Sequence, residues 1–171
     1  MKSFLTLALV GTMLLSSAPS AAAGPTNFTE FFPGWYLLTG DGGFVAGRDS
    51  VQEDAGGLAY GCRHGGSIVM FFTVPRALWV NDDLQRVDYR IGDGETTSQT
   101  WYYHLSGNVT IAELPFDNLA RKLAEEWSNG GLLHVTLYDY EDEPIELTFT
   151  LYNAELAFPS VTALCDARAN R

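Results

Sequence analysis

Three histidines, His64, His104 and His134, are the main candidates besides the carboxylates for general acid-base work near neutral pH. They fall on separate stretches with no metal-ligand spacing, and a zinc site needs three or four ligands. No Gly-x-Ser-x-Gly elbow occurs, and Ser106 falls in an ordinary hairpin turn, so a hydrolytic triad lacks a marked nucleophile. The acidic stretch Asp139, Glu141, Asp142, Glu143 and Glu146 has two readings: a calcium site or docking edge for a basic partner, or a solvated hairpin tip. The fixed alternation of a calcium loop is not met, which favours the tip. Paired carboxylates for glycoside cleavage must face each other across a cleft, and spacing along a chain does not establish that. The expectation is no catalytic residue, no cofactor and no metal.

Two residue groups remain. Cys62 and Cys165 are the only cysteines, and an even count in an exported chain implies a bridge. The alternative is a reactive Cys62 thiolate activated by Arg63 and His64. The run Trp101-Tyr102-Tyr103-His104 is the second group. Strand alternation sends Trp101 and Tyr103 one way and Tyr102 and His104 the other. One pair must be core. The other, Tyr102 and His104, is either covered as well or exposed as a candidate binding surface, joined by Tyr138 and Tyr140 if their strands are neighbours. Aromatic residues are frequent interface anchors.

Charge and the N-terminus bound where such chemistry operates. The chain has 171 residues, room for one ordinary domain, with 10 bases against 21 acids and a net charge of -11. Hydrophobic residues make up 46%, enough for a packed core. This acidity argues against a nucleic-acid backbone and against an anionic membrane surface. Met1-Lys2, the apolar run Phe4 to Leu15 and Ala21-Ala22-Ala23 read as a signal peptide cleaved after Ala23. The run is too short to remain as a spanning helix, so no stable membrane insertion is expected. Location is expected to be periplasmic or secreted. Residues 1–23 are then the leader, 24–34 a polar lead-in carrying Gly24, Pro25, Pro33 and Gly34, and 35–171 a single β-rich domain.

The elements that must position these residues follow from periodicity. Trp35 to Leu38 is a short strand before the turn Gly40-Asp41-Gly42-Gly43. Leu58 to Cys62 and Ser67 to Val74 form a hairpin, and Val69 to Phe72, apolar on both faces, is central. In Arg86 to Ile91, Val87, Tyr89 and Ile91 alternate with Arg86, Asp88 and Arg90. Gln99 to Leu105 and Asn108 to Ala112 form a hairpin around Ser106-Gly107. Asp117 is the expected N-cap of a helix to Trp127, with Leu119, Ala120, Leu123 and Trp127 on its apolar face. Leu133, Val135 and Leu137 face inward, as do Ile145, Leu147, Phe149 and Leu151. Pro159 opens a short C-terminal helix. The expected class is mainly β, an antiparallel sandwich or curled sheet with one amphipathic helix and a short C-terminal helix.

These anchors carry a family resemblance. Trp35, the strand from Leu58 to Cys62 with its glycine-containing hairpin, and Val87-Asp88-Tyr89-Arg90-Ile91-Gly92-Asp93 occur in order. Trp101, an amphipathic helix, Phe149-Thr150-Leu151 and Cys165 complete the set. Across residues 35–166 the chain resembles the periplasmic proteins associated with type VI secretion, the VasI/TagO-like group. Asn153 stands where a turn glycine is expected after the last strand. The resemblance implies an exported, disulfide-closed β domain with an accessory role. The function expected is a non-enzymatic accessory or binding protein of the cell envelope with a protein partner. An acidic inhibitor of a cationic cell-wall enzyme such as lysozyme is one alternative, since opposite charge steers encounter. A peptidoglycan hydrolase is the other.

Overall fold

The computed structural model describes residues 27–40, 43–53, 55–63, 65–75, 78, 83–114 and 116–170. Residues 1–23, expected to be a leader, His64 and the residues Asp41 and Gly42 expected in a turn lie outside the described residues. The chain is mainly β. The strands are β1 (Asn27–Phe32), β2 (Trp35–Gly40), β3 (Gly43–Asp49), β4 (Gly57–Cys62), β5 (Ile68–Val74), β6 (Asp83–Ile91), β7 (Thr97–Ser106), β8 (Val109–Leu114), β9 (Leu132–Tyr138) and β10 (Pro144–Thr150). Among the described residues there are two helices, α1 (Asp117–Trp127) and α2 (Ala154–Ala169). All ten strands join one antiparallel sheet in the order β1-β2-β3-β4-β5-β8-β7-β6-β9-β10.

The sheet curls strongly. Phe72 on β5 and Phe149 on β10 are five strand steps apart, about 24 Å along a flat sheet at ~4.8 Å per step. Their rings nevertheless stack with centroids 5.7 Å apart. Phe72 also stacks on Trp101 at 5.0 Å and meets Trp127 of α1 at 6.1 Å. The curl brings the β3–β4 loop onto the outer edge of β10. There Val51 N–H donates to the Thr148 carbonyl (2.7 Å), and Thr148 N–H donates to Gln52 Oε1 (2.9 Å). Backbone groups that an edge strand leaves open are thereby paired.

The inner face is the core, and the alternating residues named from the sequence on β6, β9 and β10 lie there. Val87, Leu133, Leu137, Phe149 and Leu151 are fully buried. Every residue of β5 is buried, as its unbroken apolar run requires. Helix α1 packs on β5 and β8, and α2 on β1, β3 and β4. A second buried cluster, Val45, Ala59, Val69, Phe71, Val109 and Ile111, occupies the opposite face of β3, β4, β5 and β8.

Cys62 and Cys165 form a disulfide with Cα atoms 5.7 Å apart, spanning 103 positions. It ties α2 to the β4–β5 hairpin. Gly66 sits in the contact with φ +85°, and a Cβ there would lie 2.4 Å from the Ala169 Cβ.

Four local expectations are corrected. Residues 27–32 of the lead-in form a strand, because β1 pairs with β2 and Phe31 and Phe32 pack against the core. The β7–β8 loop is Gly107-Asn108, one residue later than expected, since Ser106 pairs with Val109. Gly107 has φ +62°, the left-handed value that a tight hairpin turn demands at its first position. Asp117 is the first residue of α1, and Phe116 is the N-cap without a side-chain bond. The Asp117 carboxylate instead accepts from the Ile68 N–H (2.8 Å) and from Arg121 Nε (2.7 Å). Helix α2 is the longer helix, with Pro159 inside it. Proline removes one helical donor, but Ala157, Phe158, Val161 and Cys165 bury a face that holds the helix to the sheet. Asn153, just before α2, has the left-handed φ of +63° that the missing glycine would have had.

A latch joins the two chain ends. Trp35 Nε1 and Arg48 Nη1 both donate to the Tyr152 carbonyl, at 2.9 and 3.1 Å. The Arg48 guanidinium lies 5.0 Å from the Trp35 ring centre and is buried, which lowers its pKa from the usual arginine value.

Leu123 is 1% exposed. Leu123→Ala is expected to cost about 2–5 kcal/mol in denaturant unfolding; an unchanged midpoint would mean that α1 does not pack as described. Free-thiol titration of denatured, unreduced protein is expected to find essentially none. Reduction removes a long-loop constraint worth about 4–5 kcal/mol, so the midpoint drops under reducing conditions.

Candidate functional site

The outer face of β6, β7 and β9 is built by simple alternation. Residues one position off the core-facing set point away from it: Leu84, Arg86, Asp88 and Arg90 on β6, Tyr102 and His104 on β7, His134, Thr136 and Tyr138 on β9. β6 lies between β7 and β9, so Tyr102 and Tyr138 share a face without being on adjacent strands. Leu84 is the cross-strand partner of Tyr102, and both are 47% exposed. His104 and Tyr138 are half-buried, and Tyr140 is exposed in the β9–β10 turn. The centre of this face lies on β6, between the two strands that carry the expected residues.

That centre is Asp88. Its Oδ1 accepts from Arg86 Nε (2.7 Å) and Ser98 Oγ (2.6 Å), and its Oδ2 from Arg86 Nη2 (2.5 Å) and the Tyr138 hydroxyl (2.7 Å). Three strands therefore meet at one carboxylate. The Asp88 side chain is 8% exposed, whereas that of Arg86 is 63% exposed. The Arg86 guanidinium lies 5.2 Å from the Tyr138 ring centre. Burial alone raises the Asp88 pKa, but the hydrogen bonds from Arg86, Ser98 and Tyr138, with the Arg86 charge, outweigh it and hold the carboxyl below its usual value. The hydrogen bond to Asp88, and then burial, raise the Tyr138 phenol. The outward alternation of Arg86, Asp88 and Arg90 was visible in the sequence. Their cross-strand partners Ser98 and Tyr138 depended on strand order.

A hollow of about 470 Å³ opens beside Tyr102 and His104, bounded by Arg63 and Glu113. Arg63 Nη2 and Glu113 Oε2 form a short ion pair, with the Glu113 side chain 10% exposed. A second recess, about 310 Å³, lies between α1 and α2 over Tyr60 and Phe158. Several of its polar groups are engaged: Tyr60 with Thr162 (2.7 Å), and Arg121 with Asp117 and Asp166.

The remaining candidates are dispersed. His134 Nδ1 lies 3.3 Å from Thr148 Oγ1. Among the described residues no three His, Cys, Asp or Glu side chains are grouped to hold a metal. The acidic stretch is a self-capped turn, in which Asp139 Oδ1 accepts from the N–H groups of Glu141 (2.8 Å) and Glu143 (3.0 Å). No described helix is long and apolar enough to cross a membrane. No family model, curated protein or solved structure matches the chain.

Because the Asp88 carboxyl is depressed in the folded state, its stabilisation is complete above the unfolded value of about 4 and is lost as pH falls through the folded one. Asp88→Asn is expected to lower stability by about 1–3 kcal/mol at neutral pH. Wild-type and variant unfolding midpoints should converge as pH drops below about 4. A pH-independent gap between them would place the effect elsewhere than the Asp88 charge.

Proposed function

We propose that the protein is an exported, non-enzymatic binding module of the cell envelope that docks a protein partner on the outer face of β6, β7 and β9. One observation carries this reading. Arg86 is exposed yet held in a single pose by Asp88 and Tyr138, with exposed Leu84 and Tyr102 beside it. Arginine and tyrosine are the residue types that most often dominate binding energy. A side chain ordered before binding loses less conformational entropy on docking. The leader-like N-terminus and the long-range disulfide support an oxidising compartment outside the cytoplasm. The likeness to type VI secretion-associated periplasmic proteins supports an accessory role in that machinery.

The self-capped Asp139–Glu143 turn is a weaker candidate for recognition, since its best-placed carboxylate already serves the backbone. The test begins with a partner captured from periplasmic extract and then titrated. Arg86→Ala and Tyr138→Ala are each expected to weaken binding at least about tenfold, ~1.4 kcal/mol. Neutralising Asp139, Glu141 and Asp142 together is expected to leave affinity nearly unchanged, with shallow salt dependence. A loss beyond about tenfold from that triple change, with inhibition of lysozyme, would replace this reading with a charge-driven inhibitor.

A further inference from the structure

We propose that the hollow bounded by Arg63, Tyr102, His104 and Glu113 is a binding site for a pyranose ring of an uncharged glycan. Its volume, about 470 Å³, falls within the range of small-ligand sites. One wall is aromatic: Tyr102 is 47% exposed, and the negative face of its ring suits the C–H edges of a sugar. The other groups supply complementary hydrogen bonding. A carboxylate only accepts, a guanidinium only donates, and a neutral imidazole does one of each. Vicinal hydroxyls, each both donor and acceptor, match that mixture.

The arrangement is built in rather than incidental. Glu113 and Tyr102 are cross-strand partners, and Glu113 also faces Phe71 on β5. The neighbours of Glu113 on β8, Ala112 and Leu114, are buried in the core, so its position is set by the sheet. Arg63 follows directly on Cys62, whose disulfide to α2 anchors that end of β4. The Arg63–Glu113 pair sums to zero charge. An uncharged ring fits a site whose two charges already neutralise each other. Glycosidic cleavage uses two carboxylates, and among the described residues this hollow is lined by one, so the step proposed is binding.

The site shares Tyr102 with the proposed partner-docking face but does not include Arg86, on which that reading turns. The experiment titrates the protein with three uncharged trisaccharides, chitotriose, cellotriose and maltotriose, and with the charged trimers of galacturonate and glucosamine. Saturation-transfer NMR reads binding. At least one uncharged trimer is expected to bind saturably, with affinity little changed by salt that screens exposed charges. Tyr102→Ala and Glu113→Gln are each expected to weaken it at least about tenfold. The exposed position of Tyr102 keeps the first variant informative if Glu113→Gln disturbs the fold. Absence of saturable binding by all three uncharged trimers overturns the proposal. So does tighter binding of a charged trimer, or binding that survives Tyr102→Ala.

Discussion

The Phe72 ring is the point on which the curl of the sheet depends. It touches Trp101 on β7, Trp127 on α1 and Phe149 on β10 at once. A flat antiparallel sheet of this width would leave one apolar face too broad for two helices to cover. Curling lets the strands of one half cover those of the other, so the aromatic side chains act as the middle layer. The β3–β4 loop then reaches β10 and pairs part of an edge that would otherwise be open. Removal of apolar area from water drives this closure, and the large rings contribute disproportionately to it.

The same curl divides the outer face into two unlike halves. On β3, β4, β5 and β8 it is apolar and buried, through Val45, Val69, Phe71 and Ile111. On β6, β7 and β9 it is polar and aromatic, organised by Asp88. Glu113 stands at the boundary, opposite Phe71 on one side and Tyr102 on the other. Both buried carboxylates of this face are paired with a more exposed arginine. Burying an acid without such a partner is costly, and the pairing leaves an exposed, oriented guanidinium at the surface.

The C-terminal helix shows tertiary packing overriding local propensity. Pro159 costs a helical hydrogen bond, and Asn153 must adopt a left-handed backbone before the helix begins. The helix persists because Phe158 meets Trp35 and Tyr60, Cys165 is bridged to Cys62, and Tyr152 receives the Trp35 and Arg48 donors. Strand β1 is held in a similar way. Its residues carry little alternation of their own, and pairing with β2 places Phe31 and Phe32 against the core.

Period-two hydrophobicity determined by itself which residues of β6, β9 and β10 face the core, because one residue of slip would expose the whole set. The helical period determined the apolar face of α1, and an even cysteine count implied the bridge. Alternation also placed Tyr102 and His104 on the face opposite Trp101 and Tyr103. What only the tertiary structure decided is adjacency. Alternation says which way a side chain points and nothing about which strand lies beside it. Placing β6 between β7 and β9 gave Asp88 its Ser98 and Tyr138 partners and kept Tyr102 apart from Tyr138. Bringing β8 between β5 and β7 set Glu113 beside Tyr102, and the return of the β4–β5 turn supplied Arg63. The Asp88–Tyr138 and Arg63–Glu113 contacts each join residues 50 positions apart, a long-range pairing that no local pattern encodes.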